Sequence, residues 1–164
     1  MVNLVSAFAS KANCIANKLI NKVKIISGEK NLEVYALWDT GATGTCISEN
    51  VQRDLGLVAI SRQKICTPSS TIEVDVCLVD VELPNKVLMR DVPVAVTKIG
   101  DQGIGMLIGM NIISKGDFAV SNFNNHTVFT FRVPSQKTTN YVAETNLQKI
   151  IGTHGKGKRK HKRK

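Results

Sequence analysis

Residues 71–83 constrain the fold more than any other part of this 164-residue chain. Apolar and polar side chains alternate over most of the segment, which places Ile72, Val74, Val76 and Leu78 on one side of an extended backbone. A helix repeats every 3.6 residues and does not produce this pattern, whereas a β-strand with one buried face does. The segment therefore predicts a long strand that turns one face toward a core.

Shorter strands are expected on both sides of this segment. Apolar stretches bounded by turn residues occur at residues 23–26, 32–37, 87–96, 106–108 and 128–133. Because these stretches are short and numerous, they favour strands that pack into one closed or layered core over separate helices. The sequence predicts an all-β fold, either a small closed barrel or a sandwich.

One or two short helices are expected within this β fold. In residues 48–57, Ser48 suits the N-cap, Val51 and Leu55 are four residues apart, and Gly56 suits the C-terminal end. A second helical turn is expected at residues 111–116.

The positive charge of the chain is concentrated at its C-terminal end. The formal net charge is +9, but the nine residues from Lys156 to Lys164 contain seven Lys and Arg and no acid. The remaining residues, 1–155, carry 15 basic and 13 acidic side chains, a net charge of about +2. We therefore expect three parts: an N-terminal arm at residues 1–21 (a short helix or a loose segment), a domain at residues 22–134, and a disordered, polar and then basic tail at residues 135–164.

The basic segment from Lys156 to Lys164 has two interpretations that the sequence leaves open. It is either a solvated extension or a means of non-specific electrostatic contact with nucleic acid or another acidic surface. It contains no aromatic residue, so stacking on bases is not indicated.

Other classes of protein find little support in the sequence. No apolar run is long enough to span a membrane, and the apolar residues 2–9 are too few and lack the basic start of a secretory leader. The cysteines form no C-x-x-C pair, and the three histidines lack the spacing of metal ligands. We expect a cytoplasmic protein with reduced thiols, no metal, no cofactor and no membrane partner.

A candidate catalytic carboxylate follows the apolar end of a predicted strand. The strand leads into a turn that contains glycine, in the run Leu37-Trp38-Asp39-Thr40-Gly41-Ala42-Thr43. Glycine allows backbone N–H groups to approach a carboxylate closely. Taken alone, the three residues Asp-Thr-Gly favour an ordinary Asx turn at a strand end.

A second segment, about seventy residues later, adds to this evidence. It consists of an apolar strand that ends on glycine and continues with a polar and two apolar residues, in the run Leu107-Ile108-Gly109-Met110-Asn111-Ile112-Ile113. In order and separation, the two segments resemble the motifs of the retropepsin family, the retroviral-type aspartic proteases and their bacterial relatives. The resemblance extends over residues 22–134 and implies the closed-barrel-like retropepsin fold.

The resemblance also implies roles for the residues of the turn. Asp39 would be the catalytic carboxylate, Thr40 would donate a hydrogen bond across a dimer, and Gly41 would leave room for the carboxylates and the substrate. Catalysis of this type uses two carboxyl groups, of which one activates a water and the other keeps its proton. The chain has a single Asp-Thr-Gly, so the resemblance implies a homodimer that cleaves polypeptides with one Asp39 from each subunit.

Substrate contacts are expected from the turn and from a flap hairpin. By the resemblance, the expected contacts are Ala42, Gly109 and the flap tip Thr67, Pro68, Ser69 and Ser70. Family members commonly have glycine at this tip, whereas here Pro68 stiffens it, and an ordinary surface turn is the competing interpretation. Two other functions stay open: a catalytically idle retropepsin-fold module for binding or dimerisation, and a nucleic-acid-associated protein that acts through its basic tail.

Overall fold

The structure is a computed structural model that describes residues 5–66, 71–99 and 103–156. Strands dominate it, and the all-β prediction is confirmed. In chain order the elements are β1 (Ser6–Ala12), β2 (Ile20–Ser27), β3 (Lys30–Trp38), β4 (Thr45–Ser48), α1 (Glu49–Leu55), β5 (Ser61–Cys66), β6 (Thr71–Glu82), β7 (Leu88–Thr97), β8 (Met106–Ile108), α2 (Met110–Ile113), β9 (Asp117–Ser121), a 3-10 turn (Phe123–Asn125), β10 (Thr127–Val133) and α3 (Tyr141–Lys156).

Six strands close into a barrel, and the core lies inside it. They follow the order β2-β3-β8-β4-β7-β6, and β2 pairs with both β3 and β6, which closes the sheet. The pairs β3–β8 and β4–β7 are parallel, and the other pairs in the ring are antiparallel. Fully buried aliphatic side chains such as Ile25, Ile47, Val94 and Ile108 fill the interior. Closure leaves no unpaired edge around the ring.

Strand β6 belongs partly to this barrel and partly to a hairpin. Its first residues pair only with β5, whereas from Val76 onward it pairs with β7 and then also with β2. The predicted single inward face is wrong at this transition: Val76 and Cys77 are both buried, and the inward positions then shift by one residue. Leu78 is consequently exposed, as is Ile72, which lies in the two-stranded hairpin.

A separate three-stranded sheet, in the order β1-β10-β9, covers one end of the barrel. Its inner face carries Phe8, Phe118, Phe129 and Phe131, whose rings lie 5.0–6.1 Å from the ring of Trp38. The polar group of Trp38 has a partner, because its indole N–H donates to Asn21 Oδ1 at 3.0 Å. The sheet therefore anchors the end of β3 to the rest of the domain.

Two terminal segments differ from the expectations. Residues 6–12, expected as a short helix or loose arm, form strand β1 because they pair over their whole length with β10. Part of the expected disordered tail forms helix α3, where Asn140 Oδ1 accepts hydrogen bonds from the N–H groups of Val142 and Ala143 as an N-cap. Side chains 141–149 of this helix are all exposed.

Helix α1 has the predicted ends. The Ser48 hydroxyl accepts from the Val51 N–H at 3.3 Å, and Gly56 takes the left-handed conformation that ends the helix. Its buried side chains, Val51 and Leu55, pack on the core. Within the described ranges, no helix is both long and apolar enough to cross a membrane.

Candidate active site

Asp39 lies directly after β3, at the edge of the barrel. Parallel pairing places Trp38 beside Ile108 of β8, and the Asp39 N–H donates to the Ile108 carbonyl at 2.9 Å. The side chain is held from the other direction, because the Gly41 N–H donates to Asp39 Oδ1 at 2.9 Å. The carboxylate is half-buried, and its Oδ2 accepts no hydrogen bond from the described residues. One oxygen is thus fixed while the other is available to a ligand.

The segment after β8 packs against the Asp39 turn, backbone to backbone. The Met110 N–H donates to the Ala42 carbonyl at 2.8 Å, and the Asn111 N–H donates to the Thr43 carbonyl at 3.2 Å. A Cβ atom at Gly109 would overlap the Gly44 carbonyl group and lie 2.9 Å from the Ala42 oxygen. Glycine is therefore required at position 109 for this close approach.

A groove of about 1160 Å³ runs past Asp39. Its lining includes Gly41 and Ala42 of the turn together with Cys46, Val96 and Leu107 of β4, β7 and β8. Helix α1 forms one wall with Glu49, Gln52 and Arg53. The groove is open to solvent and large enough for several residues of an extended peptide.

The β5–β6 hairpin also lines the groove. It contributes apolar side chains, Ile65, Ile72 and Val74, and a cluster of charges. In this cluster Arg62 Nε lies 3.0 Å from Asp75 Oδ1, and Arg62 Nη1 lies 3.9 Å from Glu73 Oε2. The hairpin lies in the segment where a flap was expected, and the residues expected at the flap tip, Thr67, Pro68, Ser69 and Ser70, lie outside the described residues.

The one thiol in the described lining is a poor candidate for a nucleophile. Burial raises the pKa of the Cys46 thiol, the hydrogen bond with Thr97 opposes this rise, and the negative charge of Asp39 adds to it. A thiol that holds its proton is a weak nucleophile. Asp39 is therefore the better candidate for chemistry in this part of the groove.

The predicted site residues occupy three kinds of position. Gly41 and Ala42 line the groove together with Asp39. Thr40 is exposed on the turn, and its hydroxyl has no hydrogen-bond partner in the described part of the chain. Gly109 packs against the backbone of the turn at Gly44 and Ala42 and is not among the described lining residues. Sequence reasoning gave no role to two polar residues near Gly109: Asn111, which belongs to the second motif, and Thr45, which carries no motif.

The described residues include no group of three or more His, Cys, Asp or Glu side chains that could hold a metal ion. The carboxylate of Asp39 thus has no metal-ligating cluster around it in residues 5–66, 71–99 and 103–156. The groove therefore contains the Asp39 carboxylate, which has one oxygen without a partner among the described residues, together with apolar lining residues and the β5–β6 hairpin.

Comparison with known proteins relates this geometry to a family. The family model described as aspartyl protease matches residues 22–112, a range that contains both the Asp39 turn and Gly109. No curated protein sequence matches the chain.

Comparison with solved structures finds similar chains at low sequence identity. A retropepsin-like aspartic protease from Rickettsia conorii is 13% identical, with a TM-score of 0.55 over 79% of this chain and 96% of that protein. The simian foamy virus protease is 21% identical, with a TM-score of 0.42 over 58% of this chain and 92% of that protein. The EIAV protease is 17% identical, with a TM-score of 0.45 over 60% of this chain and 86% of that protein.

Proposed function

Because the chain belongs to the aspartyl protease family and has the retropepsin-like fold, we propose that it is an aspartic endopeptidase that acts as a homodimer. Each subunit contributes one Asp39 to a dyad that hydrolyses peptide bonds of a polypeptide. The observation that carries the proposal is the placement of Asp39: it lies in a groove, its Oδ1 is fixed by the Gly41 N–H, and its Oδ2 has no partner among the described residues.

The need for a second subunit follows from the chemistry. One Asp39 carboxylate takes a proton from water, and the water oxygen attacks the carbonyl carbon of the peptide. The protonated carboxyl, the partner subunit's Asp39, donates its proton to the carbonyl oxygen. The tetrahedral gem-diol then collapses: the first Asp39 gives the proton it took from water to the leaving nitrogen as the C–N bond breaks. One gem-diol hydroxyl returns its proton to the partner subunit's Asp39 as the carbonyl re-forms, so the dyad again holds one proton. A single carboxyl group cannot supply both the base and the acid.

Thr40 supports a contact between subunits at this turn. Its side chain is exposed beside Asp39, and its hydroxyl is free of partners in the described part of the chain. If a second copy of the chain is related to the first by a two-fold axis through this turn, the Thr40 residues of the two subunits lie next to each other. The arrangement fits the role that the resemblance implies for this residue.

Replacement of Asp39 by Asn tests the catalytic role. D39N keeps the shape of the side chain but cannot serve as base or acid, so we expect cleavage of a diverse peptide mixture, followed by mass spectrometry, to disappear. D54N is the matched control, because Asp54 is an exposed carboxylate of α1, outside the groove lining, and it should cleave like the wild type. Cleavage that survives in D39N would contradict the proposal. A dimer inactive in both wild-type and D39N forms would favour the idle binding or dimerisation module.

Mixing of subunits tests the dyad separately. When wild-type and D39N chains exchange freely at a fixed total concentration, only dimers with two Asp39 residues are active. The activity should then fall as the square of the wild-type fraction, so that an equal mixture keeps about a quarter of it. A linear decrease would show that one chain is sufficient.

A further inference from the structure

A chain of buried polar groups lies behind the Asp39 turn. Thr45, the first residue of β4, is only 1% exposed, and the only other buried polar residue of the described chain is Thr127. The Thr45 hydroxyl donates to Asn111 Oδ1 at 2.7 Å and accepts from the Gly109 N–H at 3.2 Å. Removal of the Thr45 hydroxyl would take one hydrogen bond away from each of its two partners, Asn111 Oδ1 and the Gly109 N–H.

Asn111 extends the chain of contacts to a third strand. Its side-chain amide donates to the Pro93 carbonyl of β7 at 3.4 Å, while its own N–H donates to the Thr43 carbonyl. Asn111, at the start of α2, therefore links β4 and β7 through its side chain and the turn through its backbone N–H.

These contacts reach Asp39 through two short links. The segment that Thr45 and Asn111 hold is the one whose Ile108 carbonyl accepts from the Asp39 N–H and whose Met110 N–H donates to Ala42. Gly109, at the centre of this segment, has no side chain with which to pack, and its backbone lies directly against Gly44 and Ala42. Hydrogen bonds from neighbouring residues must therefore fix its position.

We propose that Thr45 and Asn111 are positioning residues that hold the Asp39 turn in the geometry the dyad requires. The inference rests on the proposed function, because a dyad works only if two carboxyl groups lie a few ångströms apart. Neither residue lines the groove among the described residues, so neither contacts the substrate there. A displacement of about 1 Å at a reacting group can reduce a rate by roughly 100-fold.

Thr45→Val is the central variant, since it removes the hydroxyl and keeps the shape. We expect kcat per folded dimer to fall about 10- to 100-fold, with KM changed less than about threefold, because the groove is left intact. Thr45→Ser keeps the hydroxyl and should restore kcat to within about threefold of the wild type.

Thr127→Val is the matched control. Thr127 is 2% exposed, and its hydroxyl also donates one hydrogen bond, to Asn122 Oδ1 at 2.6 Å, and accepts one, from the Ala16 N–H at 2.9 Å. It lies in β10, outside the barrel and away from Asp39. T127V should lose stability as T45V does but keep its kcat, whereas equal kcat values for the two variants would overturn the inference.

A second variant covers the case in which T45V does not fold. Asn111 is half-buried, so Asn111→Ala is milder, and it should lower kcat about tenfold without changing KM. If T45V folds, the double variant should be no worse than T45V alone, because the two residues act as one unit. An N111A enzyme with wild-type kcat would contradict the proposal.

Amide hydrogen exchange separates this inference from the proposed function. In T45V or N111A the N–H groups of Asp39, Gly41 and Met110 should exchange faster, whereas in T127V acceleration should be confined to residues 14–16 and 122–127. A wild-type protein that cleaves no peptide would refute the proposed function, and exchange would still decide whether Thr45 orders the turn. Unchanged exchange at Asp39 and Gly41 would overturn the positioning role.

Discussion

Two aspartates of this chain differ in how many hydrogen bonds their carboxylates accept. Asp117 accepts hydrogen bonds from Ser135 Oγ at 2.5 Å, from the Gln136 N–H at 2.9 Å and from two nitrogens of Arg132, of which Nε lies at 2.8 Å. Asp39 accepts only the Gly41 N–H within the described chain. The Asp117 carboxylate thus holds the segment that follows β10, whereas Asp39 keeps one oxygen without a partner among the described residues.

The Asp117 network predicts a pH dependence of stability. The Ser135 hydroxyl, the Gln136 N–H and the Arg132 guanidinium lower the pKa of Asp117 from 3.8 to about 2. A pKa lowered by folding stabilises the native state above the unfolded value, and the stabilisation disappears as the pH falls through the folded value. We expect wild type to be more stable than D117N at pH 7, with the difference disappearing between about pH 4 and pH 2. Denaturant unfolding at several pH values measures the difference in free energy of unfolding between wild type and D117N.

The control for this prediction is D54N, which removes an exposed carboxylate that has no hydrogen bond or ion pair in the described part of the chain. The free energy of unfolding of D54N should differ little from that of the wild type at every pH. If the D117N difference also stayed constant between pH 7 and pH 2, the Asp117 contacts would not hold the carboxylate in its ionised form.

At the scale of elements, the predictable parts are those whose cause is local. Ser48 and Gly56 define the ends of α1, and the alternation in residues 71–83 identifies β6. The face of β6 was predicted wrongly beyond Val76, because the inward side changes where the strand leaves the hairpin and enters the barrel. That change depends on the partners β7 and β2, which the sequence of β6 does not contain.

Elements and site residues with distant partners were the ones missed. Strand β1 is rich in alanine and serine and has little β-propensity of its own, and its register is set by β10, more than a hundred residues away. Strand β9 was likewise not predicted. In the site, the Asp39 turn and Gly109 could be found from their motifs, whereas the link from Thr45 to Asn111 joins residues 66 positions apart.

The dependence of β1 on tertiary contacts gives a prediction at this scale. Phe8 attaches β1 to the aromatic cluster, with ring centroids 5.6 Å from Phe129 and 5.9 Å from Trp38. We expect F8A to lower the free energy of unfolding by about 1–3 kcal/mol, less than for a fully buried Phe because the side chain is only partly buried. Urea unfolding at fixed protein concentration measures it. F123A, at a Phe that is 78% exposed, should change stability by less than about 0.5 kcal/mol, and equal effects would show that β1 is not anchored by Phe8.

At the scale of the whole molecule, the candidate active site and the positive charge lie in different parts of the chain. The groove lies in a body with a net charge of about +2, obtained from the 15 basic and 13 acidic residues of 1–155, while seven cations follow within residues 156–164. Helix α3 connects the two, and its side chains 141–149 are exposed. In a homodimer two such basic segments would be carried by one particle, which would strengthen any contact with a polyanion through avidity.

This separation predicts that nucleic-acid binding and peptide cleavage can be removed independently. Ending the chain at Gly155 removes the seven cations, and replacing the same seven Lys and Arg by Gln keeps the length as a control. Both variants should lose binding to a labelled DNA duplex, measured by fluorescence anisotropy, but keep kcat/KM on an uncharged peptide within about twofold. In the wild type, log K should fall with log salt with a slope of at most about −6 per segment, from seven contacts at about −0.9 each. Binding that survives the loss of these cations, or that does not weaken with salt, would assign the contact to the body instead, where the nearly balanced charge gives it no electrostatic basis.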